Sequence, residues 1–147
     1  MNKKLWLGFG AVFVLAVLLD MLVNNFLMMK EYMETAQLWR PQAEIKMGVI
    51  LIVELFFAFF FTFIFSKGYQ GKGWIEGLRY GFYVSMMMNV AGAYMTYATM
   101  PVPYMLALKW FLLGTLQYMI YGAALGLIYG EQATVAAPEP KKMETAA

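Results

Sequence analysis

Residues 46–66 read KMGVILIVELFFAFFFTFIFS, and this stretch sets the class of the whole chain. As a helix rising about 1.5 Å per residue it is about 31 Å long, which matches a bilayer hydrocarbon core of about 30 Å. Past Lys46 its only charged side chain is Glu54. The phenylalanines at 56, 57, 59, 60, 61, 63 and 65 surround the helix on most sides, a pattern that lipid contact and packing explain.

Three further runs repeat the pattern, roughly Leu5 to Met29, Ile75 to Thr99 and Tyr104 to Tyr129. Each carries one strongly polar side chain near its middle: Asp20, Asn89 and Gln117. The sequence therefore predicts an all-α protein, a four-span transmembrane helical bundle. Composition agrees, because 147 residues that are 62% hydrophobic and 14% charged are too few to hide that much apolar surface from water. The first run is expected to be a retained span rather than a cleaved leader. It is too long for a typical signal, contains Asp20 and ends in Asn24, Asn25 and Lys30 without a small-residue cleavage site.

Missing residue types narrow the chemistry. Cysteine and histidine are both absent, which removes disulfides, thiolate nucleophiles, imidazole catalysis and the usual ligands of zinc and haem. No cofactor, no metal site and no enzymatic activity are expected, since no nucleophile and base pair is visible. A net charge of +2 spread over loops gives no basis for binding nucleic acid. Met86, Met87 and Met88 invite a copper(I) reading, but consecutive helical positions point in three directions and adaptable packing accounts for them better.

Charge also orients the chain. Lys3, Lys4, Lys67, Lys72, Arg79, Lys141 and Lys142 fall on one side of the four runs, and Lys30, Arg40, Lys46 and Lys109 on the other. The positive-inside tendency then places both termini in the cytoplasm of a protein of the cell inner (plasma) membrane. Trp6 and Trp74 are expected at the inner interface and Trp39 and Trp110 at the outer one, with Lys46 and Lys109 snorkelling outward. Residues 1–130 form the expected transmembrane domain. Residues 131–147, rich in Ala, Pro, Glu and Lys, are expected to be a disordered cytoplasmic tail. The glycines at 68, 71 and 73 lack the preceding strand of a phosphate-binding loop, and Glu76 and Arg79, three apart, are expected to form a local ion pair.

A shift of 63 positions places Lys46 on Lys109 and Glu54 on Gln117, and one of 69 places Asp20 on Asn89. Two repeated helical hairpins are one reading of these shifts, chance spacing the other. Residues four apart share a helix face, and Gly8, Ala16, Asp20 and Asn24 mark such a face on the first run. Glu54, Ala58, Thr62 and Ser66 mark one on the second, and Gly77, Gly81, Ser85, Asn89 and Ala93 one on the third. On the fourth run Gly114, Gly122, Gly126 and Gly130 do the same. Small residues at this spacing let membrane helices approach closely. Gly77, Gly81, Gly122, Gly126 and Gly130 are thus the candidate association residues, with the Gly122–Gly126–Gly130 ridge expected to dock a second subunit or a partner helix. Helix rise puts Asp20 and Asn89 about 22 and 21 Å from one side and Glu54 and Gln117 about 12 Å from the other, a single polar layer facing the interior.

Glu76, Gly77, Arg79 and Gly81 opening the third run, followed by Pro101, Pro103 and Trp110, resemble a pattern of small four-span bacterial membrane proteins of uncharacterised activity. The resemblance covers mostly the second half and implies no activity. Small multidrug transporters also carry a first-span carboxylate, but Glu54 has no counterpart in them. The second-run sequence does not fit membrane glutathione transferases, and the lack of cysteine excludes four-span quinone reductases that use paired cysteines.

Two functions follow from these residues. One is proton- or cation-coupled small-solute transport through buried Asp20 and Glu54, with Asn89 and Gln117 completing the pathway. The other is an accessory or assembly subunit that binds partner membrane helices through its glycine ridges. A membrane-buried ionisable group costs roughly 2.5 kcal/mol or more to insert, which favours a working role for the carboxylates. Amides serve more often as interhelical glue. The lipid bilayer is the expected surrounding, with a homo-oligomer or a partner membrane protein as the expected assembly.

Overall fold

The computed structural model describes residues 3–130, and they are helical almost throughout. Helix α1 (Lys3–Leu22) runs straight into a π-helical turn, Val23–Leu27, and a short α2 (Met29–Glu34) follows. Two 3₁₀ turns, Ala36–Leu38 and Gln42–Glu44, lead to α3 (Met47–Gly68), α4 (Gly73–Thr99) and α5 (Tyr104–Tyr129). The four long helices alternate in direction. Lys3, Gly68, Gly73 and Tyr129 lie at what we term the near end, and Leu22, Met47, Thr99 and Tyr104 toward the far end.

Three segments are long and apolar enough to cross a membrane: Lys3–Leu27, Met47–Gly68 and Tyr104–Tyr129. Helix α4 has the length, but Glu76, Arg79, Ser85, Asn89, two threonines and four tyrosines lower its apolar character, so the expected fourth span is not distinguished by composition. Apolar side chains lie mainly outside. Most of the far half of α3, including Val49, Leu51, Ile52, Val53 and Phe56, is exposed, whereas Thr35, Thr62, Ser85 and Gln117 are buried. A soluble protein sorts the other way, so this distribution suits an apolar solvent.

Glycine decides the closest packing. A Cβ on Gly77 would stand 1.9 Å from the Gly122 carbonyl oxygen, one on Gly81 2.1 Å from the Tyr118 oxygen, and one on Gly126 2.4 Å from the Gly73 oxygen. Helices α4 and α5 therefore touch backbone to backbone. Gly73 also needs its missing side chain for a φ of 67° at the start of α4. The pair closes at the far end through Pro101 and Pro103, the latter preceding α5, where a proline removes no helical hydrogen bond.

This packing corrects the sequence reading in one respect. The ridge expected to face outward is used within the chain, because Gly122 and Gly126 are occupied by α4. Gly130 has nothing near its Cβ position, and at φ 70° it ends α5 by donating its N–H to the Gly126 carbonyl at 3.0 Å.

Helix α1 lies against α3 and α5 through Gly8, Val12 and Ala16. A Cβ on Gly8 would come within 2.8 Å of Leu125 and 3.0 Å of Thr62. Val12, Ala16, Ala58, Phe61, Phe65, Tyr121, Leu125 and Tyr129 form a near-end core; Val23, Met28, Val102 and Leu106 form a smaller far-end core. The two halves pack differently, α4 on α5 through glycine and α1 on α3 through larger side chains. Tyr69 ties the near end together by donating its hydroxyl to the Gly130 carbonyl and accepting the Gly73 N–H at 3.0 Å. Glu76 accepts the Gln70 and Lys72 backbone N–H groups at 2.6 and 2.9 Å, so the loop, rather than Arg79 as expected, takes up this carboxylate.

Candidate functional site: a polar cavity between two apolar cores

Between the two cores lies a half-open cavity of about 490 Å³. Asp20, Glu54, Asn89 and Gln117 all line it, together with Asn24, Phe57, Trp110, Tyr118 and Tyr121. Helical rise put these polar residues at one depth, and the packing of α1, α3, α4 and α5 brings them around one space.

Asp20 extends the face of Gly8, Val12 and Ala16 by one more turn. Gln117 is 8% exposed and donates from Nε2 to Asp20 Oδ1 at 2.6 Å and to the Tyr121 hydroxyl at 3.4 Å. Glu54 lines the same cavity from α3. Its Oε2 is shielded from solvent and meets no donor among the described residues.

The expectation of buried carboxylates is corrected. Asp20 and Glu54 are half-buried, because at their level α3 packs on α1 and leaves a gap toward α4. Nearer the other end that gap is closed. The Tyr80 ring lies 4.7 Å from Phe61 and 5.2 Å from Phe65, and its hydroxyl donates to the Phe61 carbonyl at 2.7 Å.

Asn89 stands apart from the carboxyl pair. Its Nδ2 donates to Ser85 Oγ at 2.9 Å, Ser85 donates to Thr115 Oγ1 at 2.8 Å, and Thr115 donates to the Phe111 carbonyl at 2.7 Å. The Asn89 amide fits only because residue 114 is glycine, where a Cβ would come within 2.7 Å of Nδ2. Asn89 thus lines the cavity while supporting, from within α4, the Ser85–Thr115 bond that joins α4 to α5.

The π turn shapes the far wall. Met28 N–H donates to the Val23 carbonyl at 2.9 Å, and such turns recur at functional sites because they redirect one side chain. Here that side chain is Asn24, whose Nδ2 donates to the Asp20 carbonyl at 2.9 Å and whose Oδ1 accepts from the Tyr32 hydroxyl at 2.9 Å. Trp110 Nε1 donates to Tyr32 at 2.9 Å. Above this, Trp39 meets both Tyr32 and Trp110 edge-on, at 5.6 and 5.9 Å, and Lys109 pairs with Glu31. The segment between α1 and α3 is therefore a cap fastened to α5. Lys109, expected to snorkel outward, is that fastening.

Sequence reasoning missed Tyr118, Tyr121, Trp110 and Tyr32. Tyr121 had a signal, lying one turn beyond Gln117 on the same face; Tyr32 had none, since its contact with Trp110 exists only in the folded cap. The fold and the site together define a small helical bundle with membrane-capable helices around a half-open acidic and aromatic cavity. No protein family, curated protein or solved structure matches the chain.

Proposed function

We propose that the chain is a four-span protein of the cell inner membrane that performs proton- or cation-coupled transport of a small solute, without enzymatic chemistry. The observation that carries this reading is that the Asp20 and Glu54 carboxyls share the wall of a cavity of about 490 Å³. A proton carried by one of the two carboxyls is displaced by a cation entering the cavity, so that occupancy by one excludes the other. Gln117 fixes the orientation of Asp20 and neutralises part of its charge. Helix α4 serves as the fourth span with its polar face turned to α5 and to the cavity. The near end of the bundle, where Lys3 and Tyr129 lie, faces the cytoplasm. The accessory-subunit reading is carried less far, since Gly77, Gly81, Gly122 and Gly126 already engage one another.

The test is proton movement in liposomes containing the purified chain and an imposed pH gradient. Addition of small organic cations should dissipate the gradient, and Asp20→Asn or Glu54→Gln should abolish this while the protein melts as the parent does. Equal flux in both variants would overturn the proposal. Loss of flux together with loss of folded protein would assign the carboxyls to structure instead.

A further inference from the structure

The cavity opens sideways, between the far halves of α3 and α4, and that opening bears on what it accepts. One rim is Val53, 60% exposed, beside Glu54; the other is Met88, 48% exposed, with Gly92 one turn further. Nothing lies within 4 Å of where a Gly92 side chain would begin. In a bilayer this opening faces acyl chains rather than water. The cap above it is closed by Trp39, Tyr32 and Trp110. Lateral entry is therefore the route the fold leaves open.

No lysine or arginine lines the cavity among the described residues. Its wall offers the two carboxyls, one with a shielded oxygen lacking a donor, and the rings of Phe57, Trp110, Tyr118 and Tyr121. Aromatic faces and a carboxylate together favour an organic cation over a hydrated metal ion, because the rings replace little of an inorganic ion's hydration but attract a weakly hydrated ammonium group. We infer that the site takes an amphiphilic monocation, an ammonium head on an apolar tail, which enters from the membrane through the gap between α3 and α4. The head sits against Asp20 and Glu54, and the tail leaves through the gap past Val53, Met88 and Gly92. This deepens the transport reading above and rests on it for the role of the carboxyls.

The experiment measures binding alone, so that it fails or succeeds apart from transport. The full chain is placed in phosphatidylcholine nanodiscs with isotopically labelled dodecyltrimethylammonium, and protein-free discs give the partitioning baseline. Saturable binding above that baseline is expected, with tetramethylammonium weaker by roughly tenfold or more for want of a tail. Gly92→Leu fills open space and should fold, yet weaken dodecyltrimethylammonium roughly tenfold by occupying the gap, with Met88→Trp acting likewise. Gly48→Leu, also in open space but away from the cavity, should bind as the parent does.

Undiminished binding in a folded Gly92→Leu and Met88→Trp would overturn lateral entry. Equal binding of tetramethylammonium, or none of either probe, would overturn the amphiphile. If binding follows the expectation but liposomes show no carboxyl-dependent proton flux, the site stands and transport fails; flux without dodecyltrimethylammonium binding would mean the reverse.

Discussion

At the residue scale the question is which polar side chains hold the structure and which are available for work. Asn89, Ser85 and Thr115 satisfy one another across α4 and α5 and have the form of interhelical glue. Asp20 and Glu54 differ, since the donor reaching them from a neighbouring side chain is Gln117, and Glu54 Oε2 has none. Asp20→Asn keeps an oxygen for Gln117 to donate to, so its effect on stability should stay within about 1 kcal/mol while exchange is lost. Gln117→Leu leaves Asp20 without that donor and should cost about 1–3 kcal/mol of stability, read as a lower melting temperature in detergent. Glu31 gives a pH dependence of its own. The hydrogen bond from Lys109 holds its carboxyl below the ordinary value of 4.5. A depressed folded value means that the contribution is fully present above the ordinary value and is lost as pH falls through the lowered one. Tryptophan fluorescence of the cap should therefore be flat from neutral pH to about 4.5 and change only below it. Glu31→Gln should abolish that acid transition.

Among elements, the α4–α5 pair is the rigid half of the molecule. Carbonyl oxygens of one helix rest where side chains of the other would begin, and a single methyl must push the helices apart. Gly77→Ala should lower stability by about 3 kcal/mol, whereas Gly92→Ala, facing open space, should stay within about 1 kcal/mol. Equal melting temperatures for the two variants would contradict this packing. Helix α3 is the looser element, anchored to α4 by Tyr80 and otherwise held mainly by α1. The π turn after Leu22 belongs to this scale too, because it turns Asn24 toward Tyr32 and lets the cap close over the cavity.

For the whole molecule, orientation is the testable property. The chain contains no cysteine, so single introduced thiols report unambiguously. Gln42→Cys, in the exposed turn before α3, should react with an impermeant reagent in intact cells, and Gln70→Cys, in the exposed loop before α4, should react only after lysis. Labelling of position 70 from outside would invert the topology. Labelling of both, or of neither, would contradict passage of α3 through the membrane, since these positions flank that helix.

Hydropathy alone determined the helical class and the ends of the long helices to within about two residues of Met47–Gly68, Gly73–Thr99 and Tyr104–Tyr129, because a helix must bury its own backbone polar groups in an apolar solvent. The common depth of Asp20, Glu54, Asn89 and Gln117 was legible for the same reason, as rise per residue is fixed. Which partner each small-residue face meets was not. A glycine ridge has the same sequence whether it touches a helix of its own chain or of another, and only the packing of α4 on α5 assigned it. The sideways opening at Glu54 was equally hidden, since exposure depends on whether α3 leans on α1 or α4, a choice made by contacts distant in sequence.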